Sequence, residues 1–176
     1  MYKELKLVRV SEEYVKFLSK TDNRVPYNSK NKKGRPFIGI LFEVNKIQYF
    51  APLSSPKEKH KHIPNNVDFI KIYHGKYGVI NLNNMIPILK EEIIKIDFNS
   101  IANKNYKLLL ENQIEWCNIN KETIKTRAKN LRKSYEDETL PLRIKDRCCN
   151  FCLLEKQLEK YLEKNKHKQK DFDISL

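Results

Sequence analysis

The chain has no uninterrupted apolar run of the ~18 residues that a transmembrane helix needs. Its first ten residues carry Lys3, Glu4, Lys6 and Arg9 where a signal peptide would be apolar, so the expected location is cytoplasmic. No G-x-x-x-x-G-K-S/T, G-x-G-x-x-G or H-E-x-x-H is present, which removes the usual signals of nucleotide, dinucleotide and zinc-protease sites. There is no G-x-S-x-G elbow for a hydrolase serine and no internal repeat. Cysteine is scarce: Cys117, Cys148, Cys149 and Cys152. Cys149 and Cys152 form a C-x-x-C, but a zinc site needs four ligands. Cys148 is too close in sequence for independent tetrahedral placement and Cys117 is distant, so buried, idle thiols are expected, with no metal and no cofactor.

Acidic residues are the minority. Lys and Arg total 35 against 22 Asp and Glu, a formal net charge of +13 over 176 residues. That surplus points to a polyanionic partner, nucleic acid ahead of membrane. Hydrophobic content of 40% is too high for a disordered chain, and the length suits one domain with a core of its own. We expect that domain over residues 1–165, followed by a basic, flexible tail over 166–176.

Leu5 and Leu7 alternate with charged neighbours and read as a strand up to Val10. Ser11, followed by Glu12 and Glu13, caps a helix whose inner face holds Tyr14, Val15, Phe17 and Leu18. Residues 21–35 form a long polar, basic loop. Phe37 to Val44 reads as one strand buried on both faces, Asn45-Lys46 as a tight turn, and Ile47 to Ala51 as the returning strand, ended by Pro52. Further strands are expected over residues 67–74 and 77–80, and a last pair or one bent strand over 85–96. Helical spacing then takes over: Tyr106 to Cys117, Glu122 to Tyr135, and a final helix capped by Asn150 and ending near Lys164. Strands first and helices later predict an α+β fold, a twisted antiparallel sheet flanked by helices in a single domain.

One segment concentrates chemistry: Tyr49-Phe50-Ala51-Pro52-Leu53-Ser54-Ser55-Pro56-Lys57. A strand delivers two hydroxyls and an ammonium to one point. Pro56 suits a helix start, with Ser54 or Ser55 as its cap, and such a start with a lysine suits a phosphate. An ordinary Ser-Pro helix start with a solvated lysine would look the same. His60 and His62 follow within the basic stretch that holds Lys59 and Lys61; one of them could act in acid–base work or contact RNA. Arg24, Lys30, Lys32, Lys33 and Arg35 with Tyr27 combine charge with an aromatic, a set that binds phosphates and stacks a base. Basic residues of the later helices, Lys125, Arg127, Lys129, Arg132 and Lys133, can extend that surface.

Phe37-Ile38-Gly39-Ile40, the Ser54-Ser55-Pro56-Lys57 segment, Gly78 to Ile88, the Tyr106 to Trp116 helix and Asn150 to Glu155 occur in this order. Together they resemble the endoribonuclease toxins of type III toxin–antitoxin systems, the ToxN and AbiQ family of abortive-infection, phage-resistance proteins, with the match leaning toward the AbiQ side. The resemblance implies a twisted antiparallel sheet flanked by helices. It implies metal-independent cleavage of single-stranded RNA that leaves a 2′,3′-cyclic phosphate. It also implies a repeat antitoxin RNA, folded as a pseudoknot, that the toxin processes and that occupies its basic groove and inhibits it, with room for a higher-order protein–RNA assembly. The family's hydroxyl-hydroxyl-Pro-Lys motif falls on Ser54, Ser55, Pro56 and Lys57. The basic residue before the Phe-Ile-Gly strand falls on Arg35, and Tyr27 stands for the loop aromatic at a different spacing.

Ser54, Ser55, Lys57 and His60 are therefore the expected catalytic residues. Lys57 would stabilise the charged phosphorane, Ser55 with Ser54 would hydrogen-bond the nucleophile or a phosphate oxygen, and His60 is a candidate base. Tyr27, Lys30, Lys32, Lys33, Arg35, Lys59, Lys61, His62, Lys125 and Arg132 are the expected RNA contacts. Two other readings remain: a non-catalytic RNA-binding module, and a phosphoester or acyl enzyme with Ser55 as covalent nucleophile, which the missing elbow disfavours.

Overall fold

A computed structural model describes residues 4–27 and 34–174, with side chains through residue 163. Lys30, Lys32 and Lys33, assigned above to RNA binding, lie outside the described residues.

The chain begins with β1 (Lys6–Val10) and α1 (Glu12–Thr21). Ser11 caps α1 by accepting a hydrogen bond from the Tyr14 amide at 3.3 Å, and Glu12 and Glu13 complement the positive end of the helix. β2 (Phe37–Gly39), β3 (Glu43–Val44) and β4 (Ile47–Ser54) follow. Phe37 to Val44 is therefore two strands rather than one. Residues 40–42 leave the ladder but stay tied to β4, where Leu41 N–H donates to the Tyr49 carbonyl at 2.9 Å. The Asn45-Lys46 turn is as expected, with both residues at positive φ as a two-residue hairpin of type I′ requires.

β4 organises the sheet. On one edge it pairs with β3 and then β2; on the other with β7 (Ile86–Ile88) and then β6 (Val79–Asn81). The full order is β5-β6-β4-β2-β1-β8, with β5 at Phe69–Lys71 and β8 at Ile93–Lys95, and every pairing is antiparallel. Pro52 does not end β4. It sits opposite Phe37 in a pair whose ladder bond comes from the next residue, Leu53 N–H to Pro36 O at 2.9 Å. On its other side Pro52 falls between the last β7 pair, Phe50 with Ile86, and the first β6 pair, Leu53 with Ile80. No donor is needed at that gap, so proline is tolerated. The expected pairing within 85–96 also differs: β7 joins β4, while β8 joins β1 at the sheet edge.

The strand expected over 67–74 is short. After β5 the chain enters a tight 3-10 turn, Ile72–Gly75, with Tyr73 and His74 in the left-handed region. A five-residue helix, α2 (Glu58–His62), starts two residues after Pro56. Its cap position is Lys57, without a side-chain cap bond; neither Ser54 nor Ser55 caps it. The helical half comprises α3 (Lys104–Ile119), α4 (Lys121–Glu136), the short α5 (Leu142–Lys145) and α6 (Phe151–Ile174). Asn150 caps α6 by accepting from Leu153 N–H at 3.1 Å. The helix continues to Ile174, beyond the end expected near Lys164.

α6 packs on β7 and on α1, so the core lies between the sheet and the helices. Tyr14, Tyr49, Phe37, Phe50 and Phe151 are its largest fully buried side chains. The Tyr49 hydroxyl donates to the Glu155 carboxylate, which also takes two bonds of 3.0 Å from the Arg132 guanidinium. Burial first, and Glu155 second, push the Tyr49 phenol far above its ordinary range, so it stays a donor. Cys117, Cys148 and Cys149 are buried, and burial pushes each thiol up to about 12, in agreement with the expectation of idle thiols.

Candidate active site

Strand β4 carries the expected catalytic segment out of the sheet. Ser54 is its final residue, half-buried, and pairs with Val79 of β6. Its Oγ accepts a hydrogen bond of 2.9 Å from the amide of Asn81, whose Nδ2 also donates to the Pro52 carbonyl at 3.2 Å. Accepting there leaves the Ser54 proton free to donate. Ser55, Pro56 and Lys57 are exposed beyond the strand end. Continuing the β2–β4 register by two residues brings Arg35 opposite Ser54. Arg35 and Tyr27 line the same small pocket beside Phe37, and burial lowers the Arg35 pKa. The two residues that the resemblance placed in the site are thus brought together.

β6 can approach the end of β4 this closely because of Gly78. Its φ is +94°, and a Cβ there would lie 1.9 Å from the Ser54 carbonyl oxygen. Asn81 and Gly78 both lie in a segment that carries the family resemblance, yet no local pattern assigns a role to either. The signal was a strand-start glycine next to a polar residue at a sheet position, visible only once β6 is known to pair with the end of β4.

Lys57 opens onto a cleft of about 570 Å³ whose walls include Lys61, Tyr73 and Lys76. Helix α2 separates it from a second cleft of about 500 Å³ lined by Lys59, His60, Asn81 and Arg143. Lys59, Lys61 and His62 are exposed on α2, where expected RNA contacts belong, although Glu58 engages Lys61 at 2.8 Å and His62 at 3.5 Å. Surface pairs of this kind are weak. Among the described residues no three His, Cys, Asp or Glu side chains gather as a metal site would require, and no helix is long and apolar enough to cross a membrane.

His60 is only 5% exposed and lines the second cleft, not the one that holds Lys57; its Nδ1 has no hydrogen-bond partner among the described residues. Burial, reinforced by Lys57, Lys59 and Lys71, holds its pKa below the ordinary value. The folded state therefore binds fewer protons than the unfolded chain. Stability is fully present above pH ~6.5 and declines as pH falls toward the lowered folded pKa. Thermal unfolding temperatures measured between pH 7.5 and 5.5 should fall in the wild type and fall less in His60→Gln. Parallel curves would remove His60 as the titrating group.

Three expected contacts are located elsewhere. Arg132 is 5% exposed and its guanidinium is engaged by Glu155 and, at 3.2 Å, by Glu136. Lys125 is buried on the inner face of α4. Arg24 is held by Asp22 at 2.8 Å and donates to the Asp146 carbonyl at 3.2 Å. Helical spacing places Lys125 and Arg132 on one helix but does not say which face they occupy, and loop composition does not show that Asp22 engages Arg24. Arg127, half-buried, donates to the carbonyls of Asn66 and Phe69, while Lys129 and Lys133 are exposed.

An antiparallel sheet backed by helices in this arrangement is an architecture shared with solved bacterial toxins of type III toxin–antitoxin systems. The lactococcal anti-phage endoribonuclease AbiQ shares the fold, with a TM-score of 0.79, 22% identity and coverage of 92% of this chain and 99% of that one. A solved bacterial type III toxin–antitoxin system, in which a non-coding RNA pseudoknot selectively inhibits the toxin, superposes with a TM-score of 0.78. It is 28% identical and the match covers 92% of this chain and 99% of that one. The endoribonuclease ToxN of Pectobacterium atrosepticum is 32% identical over 167 residues, 89% of this chain and 92% of that protein. The model of the family "Toxin ToxN, type III toxin-antitoxin system" matches residues 6–159. This chain belongs to the ToxN family of type III toxin–antitoxin endoribonucleases. Its identity to that ToxN exceeds its 24% identity to the lactococcal AbiQ, the side expected from the resemblance.

Proposed function

We propose that the protein cleaves single-stranded RNA by attack of a substrate 2′-hydroxyl on the adjacent phosphate, without a bound metal, leaving a 2′,3′-cyclic phosphate and a 5′-hydroxyl. The observation that carries this reading is the end of β4. There a strand fixed on both edges ends at Ser54, with Ser55 next in the chain, and Lys57 lines a cleft together with Lys61 and Lys76. In this chemistry the 2′-hydroxyl gives its proton to solvent as its oxygen attacks in line, the P–O5′ bond breaks, and the departing 5′-oxygen takes a proton from solvent, while the enzyme positions the nucleophile and stabilises the dianionic phosphorane. Lys57 supplies the positive charge at the phosphorane. Ser54, its oxygen already bonded to Asn81, donates its proton to a phosphate oxygen, and exposed Ser55 orients the nucleophile. Arg35, opposite Ser54, holds the neighbouring phosphate. No proton step is assigned to His60, which lines the second cleft together with Asn81.

A repeat RNA folded as a pseudoknot is the proposed inhibitor and is itself processed, with an assembly of several toxin and RNA copies as its expected form. The support is the likeness to the pseudoknot-inhibited toxin together with the net charge of +13. Cellular or phage RNA in the cytoplasm is the proposed target. Incubating the protein with single-stranded RNA in EDTA and identifying the product ends by mass spectrometry tests the chemistry. Cyclic phosphate and 5′-hydroxyl ends at an undiminished rate are expected. Products ending in 3′-hydroxyl, or cleavage restored only by added Mg²⁺, would overturn it. Bound but intact RNA under both conditions would favour a non-catalytic RNA-binding module.

A further inference from the structure

The cleft that receives Lys57 has an aromatic wall to which no role has been given. Tyr73 is 48% exposed there, although it belongs to a segment whose neighbours Ile72 and Gly75 are buried. Its ring stacks on Tyr77, with centroids 5.4 Å apart and planes 21° apart. The Lys76 ammonium lies over both rings, 5.5 Å from one centroid and 5.7 Å from the other.

The chain holds this ring in place at some cost. Tyr73 and His74 both adopt left-handed backbone, with φ of 46° and 56°, which non-glycine residues rarely do. Gly75 then allows the turn to pack on α2, since a Cβ there would lie 3.1 Å from the His60 carbonyl oxygen. Ile72 N–H donates to Gly78 O at 2.9 Å and Lys76 N–H to Tyr73 O at 3.0 Å, closing the turn on itself. Gln113 of α3 donates to the Tyr77 carbonyl at 2.7 Å, fixing the second tyrosine to the helical layer. The same turn leads into Gly78, which lets β6 close on Ser54. The aromatic wall and the hydroxyl–lysine strand end are thus set by one continuous segment.

A cleft of about 570 Å³ lies within the ~300–1,000 Å³ range of small-ligand sites and has room for a nucleotide. Lys57, Lys61 and Lys76 against Glu58 leave its wall positive. A pre-positioned, exposed aromatic beside cations is the equipment for stacking an unpaired base while the adjoining phosphate is neutralised.

We propose that Tyr73, supported by Tyr77 and Lys76, is the stacking platform for the base adjoining the cleaved phosphate, and so a specificity-determining residue. This rests on the reading of the Ser54–Lys57 segment as an RNA-cleaving site. Single-turnover cleavage of a short single-stranded RNA with one scissile phosphate tests it. Wild type, Tyr73→Phe and Tyr73→Leu are compared, with an abasic nucleotide placed in turn on either side of that phosphate. On one side, base removal should slow the wild type and Tyr73→Phe by about 5- to 150-fold, the range expected for one aromatic stack. Tyr73→Leu should be slowed by a similar factor on intact RNA and lose its sensitivity to base removal at that side. A second measurement needs no variant: 2-aminopurine at that position, in RNA blocked by a 2′-deoxy nucleotide, should be quenched on binding the wild type. Equal abasic penalties in wild type and Tyr73→Leu, or no quenching on either side, overturn the proposal while the endoribonuclease reading stands. A wild type that cleaves no RNA overturns that reading and this inference with it.

Discussion

Replacing Lys57 with alanine is expected to lower RNA cleavage by about 10²- to 10³-fold, the usual cost of removing one well-placed stabiliser of transition-state charge. Folding and overall RNA affinity should change little. Lys57 is exposed, occupies the cap position of α2 without a side-chain cap bond and has extended backbone, so no buried contact depends on it. It is also one of 35 basic residues, and non-specific affinity reflects their sum. At the scissile phosphate, by contrast, its single charge meets the charge that develops only in the transition state, which lowers the rate rather than binding. Lys57→Arg should recover part of the loss, because the charge remains but the planar guanidinium reaches the phosphate differently. Single-turnover cleavage of a labelled RNA, with filter binding alongside, makes the measurement. Wild-type cleavage by soluble Lys57→Ala would remove the residue from the chemistry.

Arg132→Ala should destabilise the fold by about 3 kcal/mol, at the lower end for breaking a buried ion pair, without altering the charge that RNA meets at the surface. Removing the guanidinium leaves the Glu155 carboxylate, itself mostly covered, with the Tyr49 hydroxyl as its remaining neutral donor. Arg132→Met combined with Glu155→Gln should lose much less, since no buried charge is then left unpaired. Urea unfolding of the wild type and these two variants measures this. Unchanged stability together with a weakened RNA complex would return Arg132 to the RNA surface.

These two residues mark what local sequence can and cannot decide. Lys57 is legible as a candidate because the Ser-Ser-Pro-Lys run follows a strand whose apolar residues announce it, so the proposed chemistry is contiguous. Arg132 has the same charge and lies on an amphipathic helix. Its pairing with Glu155 on α6 depends on how α4 and α6 meet around Tyr49. Helical periodicity places a residue on a stripe but does not say whether an acid stands opposite. Similarly, the Asn45-Lys46 turn and the Ser11, Asn103 and Asn150 caps follow from neighbouring residues. Ser11 and Asn150 stand directly before helical apolar runs, whereas Asn103 stands three residues before such spacing begins at Tyr106.

By itself, then, the sequence determined the basic character, the α+β class, the order of strands and helices, and the contiguity of the Ser54–Lys57 segment proposed to carry the chemistry. All of these depend on composition, periodicity and residues a few positions apart. Tertiary structure alone decided that β4 runs through Pro52, that Asn81 holds Ser54, and that Arg35 stands opposite it. It also placed Tyr73 and Lys76 across the cleft from Lys57 and put His60 into another. Each of these joins groups brought together by strand register across the sheet or by α2 packing on the 72–75 turn. Register is set by which strands share the core, a long-range outcome of burying Tyr49, Phe50 and Ile80 together, and no local pattern encodes it.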